Sequence, residues 1–317
     1  MLSLVASISE KLGRISILHN LESRPHLRRN NRIRSIHSSL RIEANSLNLN
    51  QVRDVLDGHL VLGEPKEIQE VKNAYAAYEK LPEINPYCLT DLKELHGIMT
   101  KYTVEESGAF RKGEEGVFSG EDCIFMAPPA RLVPGLMEDL FSWMQCEKDQ
   151  IHPLILAAVF HYEFVFIHPF SDGNGRIARL WHTAILSQWK PIFAYIPLES
   201  QIEKFQDGYY QAIAQCHGEG TSNCFIEFML KQIDLILDVV ATQISEVDAQ
   251  ITEYVRKLLA VMEPGIPYTA TSLMERLALH SRETFRKNYL NPAMELGMVS
   301  MTIPDKPQSR NQHYVRR

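Results

Sequence analysis

His168-Pro169-Phe170-Ser171-Asp172-Gly173-Asn174-Gly175-Arg176-Ile177-Ala178-Arg179 stands between two apolar stretches, Ile151 to Phe170 before it and Ile177 to Leu186 after it. The first is interrupted by His152, Pro153, His161, Glu163 and His168. It therefore fails as a bilayer span and suits a helix buried in a protein core. The run reads as a loop joining two buried helices. Gly173 and Gly175 let the backbone turn tightly and approach a ligand, and the helix that follows offers free N–H groups and a positive dipole end to an anion. Arg176 and Arg179, three apart on that helix, share a face and add two fixed forks suited to phosphate oxygens. An acidic residue beside such a cradle calls for a cation between them, so Asp172 reads as a ligand of a hard divalent metal, Mg²⁺ sharing the phosphates. His168 is the one side chain of the loop able to accept a proton near neutral pH. Together these residues point to phosphate-transfer chemistry with a general base.

Outward from the loop, helical spacing dominates, as in Leu92-Leu95-Met99, Leu136-Leu140-Met144 and Phe225-Phe228-Met229-Gln232-Ile236. The fold class is all-α. One exception is the stretch 113–129, GEEGVFSGEDCIFMAPP, whose glycines flank short apolar runs and which reads as a β-hairpin or as a surface loop. The chain divides into an N-terminal helical segment over 1–62, a core over 63–245 and a C-terminal unit over 246–317. A long helix is expected through Ile244 to Met262, with Pro264 and Pro267 breaking the chain after it. The basic stretch Arg24 to Arg34 reads as a solvated face.

With 317 residues, 45% hydrophobic and 23% charged, the composition is that of a globular protein with a sizeable core. A net charge of −6 argues against a chain dominated by nucleic-acid backbone contacts. Cys88, Cys123, Cys146, Cys216 and Cys224 show no close pair at metal-binding spacing. They read as reduced thiols, with a cytoplasmic location and no membrane partner expected. His161, Glu163 and His168 have residue types that would suit a metal hydrolase, but no standard zinc motif surrounds them.

The loop is similar to the core motif of the Fic family, HxFx[DE]GNGRxxR, and meets every constrained position. Eight such positions coincide by chance on the order of once in 10^10 starting points. The resemblance implies a Fic helical core with a short β-hairpin flap, and transfer of AMP from ATP to a Ser, Thr or Tyr hydroxyl of a protein, the chain itself included. It implies His168 as the base, Asp172 as the ligand of Mg²⁺, with Mn²⁺ as substitute, and Gly173, Asn174 and Gly175 as the cradle of the α- and β-oxygens. Arg176 would steady the β-phosphate, Arg179 the γ-phosphate, and Phe170 would anchor the loop. Residues 113–129 resemble the family's flap, which holds the target segment as an added strand. Tyr209-Tyr210-Gln211-Ala212 resembles a segment whose aromatic residues form the nucleoside pocket, and His217 stands where some relatives carry an Asn near the adenine.

Ser39-Leu40-Arg41-Ile42-Glu43-Ala44-Asn45 resembles the Fic inhibitory helix, [ST]xxxE[GN], with Ser39 and Glu43 fitting and Ala44 departing from the pattern. The resemblance implies that Glu43 pairs with Arg179 and blocks the γ-phosphate. At the other end, a helix over Ala270 to Leu279, a turn at His280-Ser281, a helix over Arg282 to Leu296, Gly297 as C-cap and two strands around Pro304-Asp305-Lys306-Pro307 make a winged-helix plan. Arg282, Arg286, Lys287, Lys306, Arg310, Arg316 and Arg317 give it a basic face. Residues 268–317 thus suit DNA or a protein contact equally, and a homodimer or higher oligomer is expected. Two further readings stay open: transfer of UMP or a phosphoryl group, and a DNA-binding regulator that uses the Fic fold as a nucleotide sensor.

Overall fold

The computed structural model describes residues 1–18, 25–119 and 122–316. Arg24 and Arg317 lie outside the described residues, as do positions 120 and 121 of the hairpin stretch. Helices dominate, in the order α1 (Leu2–Leu18), α2 (Pro25–Ile42), α3 (Leu49–Leu56), α4 (Pro65–Lys80) and α5 (Leu89–Met99). The hairpin strands β1 (Gly116–Ser119) and β2 (Asp122–Met126) follow, then α6 (Val133–Glu147), α7 (Pro153–Ile167) and α8 (Asn174–Trp189). Next come α9 (Leu198–Lys204), α10 (Gln206–Glu219), α11 (Asn223–Gln250) and α12 (Glu253–Ala260). The last stretch holds β3 (Pro267–Tyr268), α13 (Ala270–Arg276), α14 (Arg282–Thr284), α15 (Asn291–Glu295), β4 (Val299–Met301) and β5 (Tyr314–Arg316). Among the described residues no helix is long and apolar enough to cross a membrane. The chain parts into two compact units, residues 1–10 with 31–237, and residues 11–30 with 238–317. Residues 31–62 thus group with the core in the first unit.

In the first unit, α7 and α8 pack against each other, with α5 and α6 laid on them. Phe160, Phe164, Trp181 and Leu180 are fully buried where they meet. The start of α7 is written locally: Pro153 occupies the first turn, where no N–H is needed, and the His152 ring nitrogen Nδ1 accepts the Leu154 N–H at 3.2 Å. Its end is set by His168, left-handed at φ 50°, followed by Pro169, which cannot continue a helix. The two described strands of the hairpin run antiparallel, with Gly116 opposite Met126 and an irregularity between Val117 and Phe118.

Helix α2 corrects the solvated-face reading of the basic stretch. Asn31, Ile33, Ile36 and Leu40 are buried, because the arginines are interleaved with an apolar seam at helical spacing. Arg32 pairs with Glu79. The buried carboxylate of Glu199 accepts from Ser35 Oγ at 2.7 Å and from Tyr78 Oη at 2.6 Å. Burial pushes the Glu199 carboxyl up, and those two donors resist the shift. Apolar packing and a buried polar clasp together hold residues 31–42 of α2 in this unit.

In the second unit, Val255, Leu258, Leu273, Phe285, Leu290 and Val299 form the core. The expected helix through Met262 is broken: α11 ends at Gln250, and Thr252 restarts the chain by accepting the Val255 N–H. Helix, turn and helix follow as the spacing predicts, with Ser281 capping α14 and Gly297 left-handed at φ 65°. A π-wound turn, Phe285–Leu290, joins α14 to α15. The sheet has three strands in the order β3-β5-β4. The reading by spacing missed β3 because Pro267 looked only like a breaker, yet proline is tolerated on an edge strand. Arg316 leaves the expected basic face, since its guanidinium donates to the Leu259 and Met262 carbonyls.

Candidate functional site

The loop from His168 to Gly173 is folded by its own side chains and by α5. Asn174 closes it: its Oδ1 accepts the Phe170 N–H at 2.9 Å and its Nδ2 donates to the Phe170 carbonyl at 2.7 Å. The Asn174 amide, expected to cradle phosphate, is thus engaged at both ends in holding the turn. Its second Nδ2 hydrogen and the backbone N–H groups that open α8 remain as donors for an anion. Phe170 is fully buried and stacks on His96 with ring centroids 3.6 Å apart. His96 Nε2 donates to the Asp172 carbonyl at 2.9 Å, and Nδ1 accepts the Gly108 N–H at 2.9 Å. Both bonds require the neutral imidazole with its proton on Nε2. Gly173 must be glycine, since it sits at φ 84° and a Cβ there would lie 2.9 Å from Thr100 Cγ2.

His96 and the fully buried His182 share a consequence for stability. Burial depresses each imidazole from 6.5 to about 4. Unfolding frees both rings to take up protons near 6.5, so the unfolded state binds more protons between pH 6.5 and about 4. Stability is therefore held above that window and lost as pH falls through it, by about 1.4 kcal/mol per pH unit for each ring. Denaturant midpoints at pH 7 and pH 5 check this, and equal midpoints would refute it.

The two arginines of α8 each meet a carboxylate. Arg176 is buried, and its Nη2 donates to Asp172 Oδ1 at 2.7 Å and its Nη1 to Glu70 Oε1 at 3.3 Å. Glu70 Oε2 in turn accepts from Asn45 Nδ2 at 2.9 Å. Burial pushes the Asp172 carboxyl up, but the Arg176 guanidinium and the Gly173 N–H outweigh it and hold it below the usual carboxylate range. Arg179 donates through Nε to Ser39 Oγ at 3.1 Å, and through Nη2 to the Ser39 carbonyl at 3.0 Å and Glu43 Oε1 at 2.7 Å. The spacing of Ser39 and Glu43 on one helix face delivers both to one guanidinium. A Cβ on Gly175 would lie 2.2 Å from Glu43 Oε1, so only glycine admits the carboxylate over the start of α8.

Ala44 ends the turn after α2 in the left-handed region at φ 64°, with the Asn45 N–H bonded back to the Leu40 carbonyl at 3.1 Å. A Cβ is strained there. Ala44→Gly is expected to stabilise the first unit by about 1 kcal/mol, read as a higher denaturant midpoint. A lower midpoint would sink this account of the turn.

His168, Asn174, Gly175, Arg179, Tyr209 and Tyr210 line a single cavity of about 700 Å³, together with Glu43 and His217. That volume suits a small-molecule ligand. Asp172, Gly173 and Arg176 do not line it, Phe170 lies in the core, and Ser39 sits behind Arg179. Tyr209 is buried with its hydroxyl 2.9 Å from His161 Nε2, whereas Tyr210 is half-exposed. Burial lowers the His168 imidazole below its ordinary 6.5; Glu115 and Glu43 oppose the shift and Arg111 adds to it. Among the described residues no group of three or more His, Cys, Asp or Glu is placed to hold a metal by itself. Asp172 remains as a single carboxylate whose Oδ1 carries both bonds, which fits a hard cation that takes its other ligands from phosphate and water. Sequence reasoning missed His96, Glu70 and Arg111, which come from other elements and carry no local motif.

A model of the Fic/DOC family matches residues 86–186, and one of the Fic-like C-terminal domain matches residues 253–315. Protein adenylyltransferase Fic of Drosophila virilis is 29% identical over 290 residues, 85% of this chain and 56% of that protein. The chain thus spans about half the length of the curated relatives it matches. A signalling protein with a Fic domain from Bacteroides thetaiotaomicron shares the fold at 20% identity and a TM-score of 0.65, over 77% of this chain and 97% of that one. A Fic family protein from Desulfovibrio desulfuricans is 44% identical, covers 100% of this chain and 95% of its own, and superposes with a TM-score of 0.75. With likeness at that level along the whole chain, and with the family's loop folded around His168, the protein belongs to the Fic family.

Proposed function

We propose that this chain is a protein adenylyltransferase, moving AMP from ATP to a Ser, Thr or Tyr hydroxyl of a protein, itself included, under inhibition by Glu43. The observation that carries the reading is one cavity lined by the His168 imidazole, the start of α8 and Arg179, with Glu43 already on that guanidinium. His168 removes the hydroxyl proton as the oxygen bonds to the α-phosphorus, and the bond from that phosphorus to the bridging oxygen breaks to release pyrophosphate. The N–H groups at the start of α8 meet the phosphate oxygens. Arg176 and Arg179 neutralise the charge farther along the triphosphate. Asp172 would hold Mg²⁺, which supplies charge neutralisation to the phosphates when bound. Tyr210 and His217 line the same cavity and would take the nucleoside, and the hairpin edge would present the acceptor segment as an added strand.

Incubation with ATP or UTP and Mg²⁺, followed by mass spectrometry of the intact chain, tests the reading. One added AMP is expected with ATP. An added phosphoryl group, or UMP from UTP in preference, would replace it with the related transfer.

A further inference from the structure

Arg111 is buried, and every bond its side chain makes goes to a backbone carbonyl. Nε donates to the His168 carbonyl at 2.7 Å, Nη1 to Gly113 at 2.8 Å, and Nη2 to Pro128 at 2.5 Å and Ile167 at 3.4 Å. Its own N–H donates to the Pro169 carbonyl at 2.9 Å. Among the described residues no carboxylate forms an ion pair with it. A buried cation without a counter-charge is costly unless dipoles replace its water, and here the C-terminal carbonyls of α7 do so. The choice of carbonyls is specific. Gly113 precedes β1 and Pro128 follows β2, so both feet of the hairpin are gripped, while Ile167 and His168 are the end of α7 and the residue that bears the imidazole.

We propose that Arg111 is a positioning residue that fastens the hairpin to the backbone of His168, so that an acceptor hydroxyl paired to the hairpin edge meets the imidazole at a fixed distance. Only a planar fork with donors on three sides can join four carbonyls from two pieces of chain; an ammonium carries the charge but cannot span them. His168 needs such a fastening, because its left-handed backbone is unfavourable for a residue with a side chain. The Phe164 carbonyl holds its N–H and Arg111 holds its C=O, which fixes both flanking peptides. Arg111 does not line the nucleotide cavity, so its loss acts on the acceptor and not on ATP.

The consequence for transfer rests on the adenylyltransferase reading, and the fastening itself does not. The test uses the full chain carrying Glu43→Gly, with Arg111→Met and Arg111→Lys added separately. Self-modification with labelled ATP is followed against ATP concentration, and amide exchange is followed by mass spectrometry. Arg111→Met is expected to lower kcat on the order of 100-fold, as a misplacement of about 1 Å can, with KM for ATP within about twofold. Arg111→Lys should fall between, and serves if the Met variant folds poorly. In both, exchange should rise together in 113–119 and 167–170 while the interior of α8 stays protected. The proposal is overturned if KM for ATP rises in step with the loss of kcat, if protection is lost throughout α7 and α8, or if the hairpin and His168 exchange as before. Should the Glu43→Gly parent incorporate no label, the transferase reading fails by itself, and amide exchange still decides whether Arg111 is the fastening.

Discussion

Glu43→Gly is expected to raise incorporation of label from ATP into the chain on the order of 100-fold over the parent sequence. On the proposed function one guanidinium has two claimants, the carboxylate that holds it at 2.7 Å and the last phosphate of ATP. Removing the internal claimant leaves Arg179 buried with only Ser39 as an oxygen partner from α2, so the nucleotide gains what the carboxylate held. A differential of about 1–3 kcal/mol between two ligands of one site corresponds to roughly 5–150-fold, and a pair whose guanidinium is fully buried falls toward the upper end. The same variant should be less stable without ATP and more strongly stabilised by it, so thermal melts with and without nucleotide give a second readout. If label incorporation and the ATP-induced shift are both unchanged, the contact between Glu43 and Arg179 is structural only.

His168→Ala, placed in the Glu43→Gly chain, is expected to lower transfer by between roughly 100- and 10,000-fold while ATP binding by calorimetry stays within about twofold. In the proposed reaction the imidazole is the proton acceptor, whereas Asn174, Gly175 and Arg179 line the same cavity from α8 and take the anion, so chemistry and binding separate. Burial keeps the ring neutral through the neutral range, with Glu115 resisting and Arg111 assisting. The rate should therefore hold down to pH values below 6.5 and fall as pH drops through the lowered value, where the base becomes protonated. An Ala variant that transfers at the parental rate would assign the proton to another group.

The chemistry of the site was legible where it is local. His168, Asp172 and the two arginines announce themselves by residue type within one turn of loop and helix. Ser39 and Glu43 come from their resemblance to the inhibitory helix, and the structure brings them to Arg179, 136 residues from Glu43 in the chain. What spacing does not disclose is which distant side chain completes a local arrangement. His96 braces Phe170 and Asp172 from α5, Glu70 reaches Arg176 from α4, and Arg111 stands alone between elements. These choices are made by packing, and a period of 3.6 carries no record of them. The same limit applies to Asn174: the family resemblance implies a phosphate donor, and only the closed loop shows its amide also bonded to Phe170. In the second unit, β3 exists because Tyr314 and Val315 offer it an edge, which two residues that begin with a proline do not reveal.

Glu43 lies one residue beyond the last residue of α2, and its side chain is 35% exposed while that of its partner Arg179 is 1% exposed. Ile33, Ile36, Leu40 and Ile42 stay buried whatever the carboxylate does, and Glu199 keeps Ser35 and Tyr78 in place. On the proposed inhibition, relief thus needs only the swing of one partly solvated side chain, while lifting the helix would demand local unfolding on far slower scales. Onset of transfer after mixing with ATP should then show no lag, and the fraction of uninhibited molecules should follow nucleotide concentration as a rapid equilibrium.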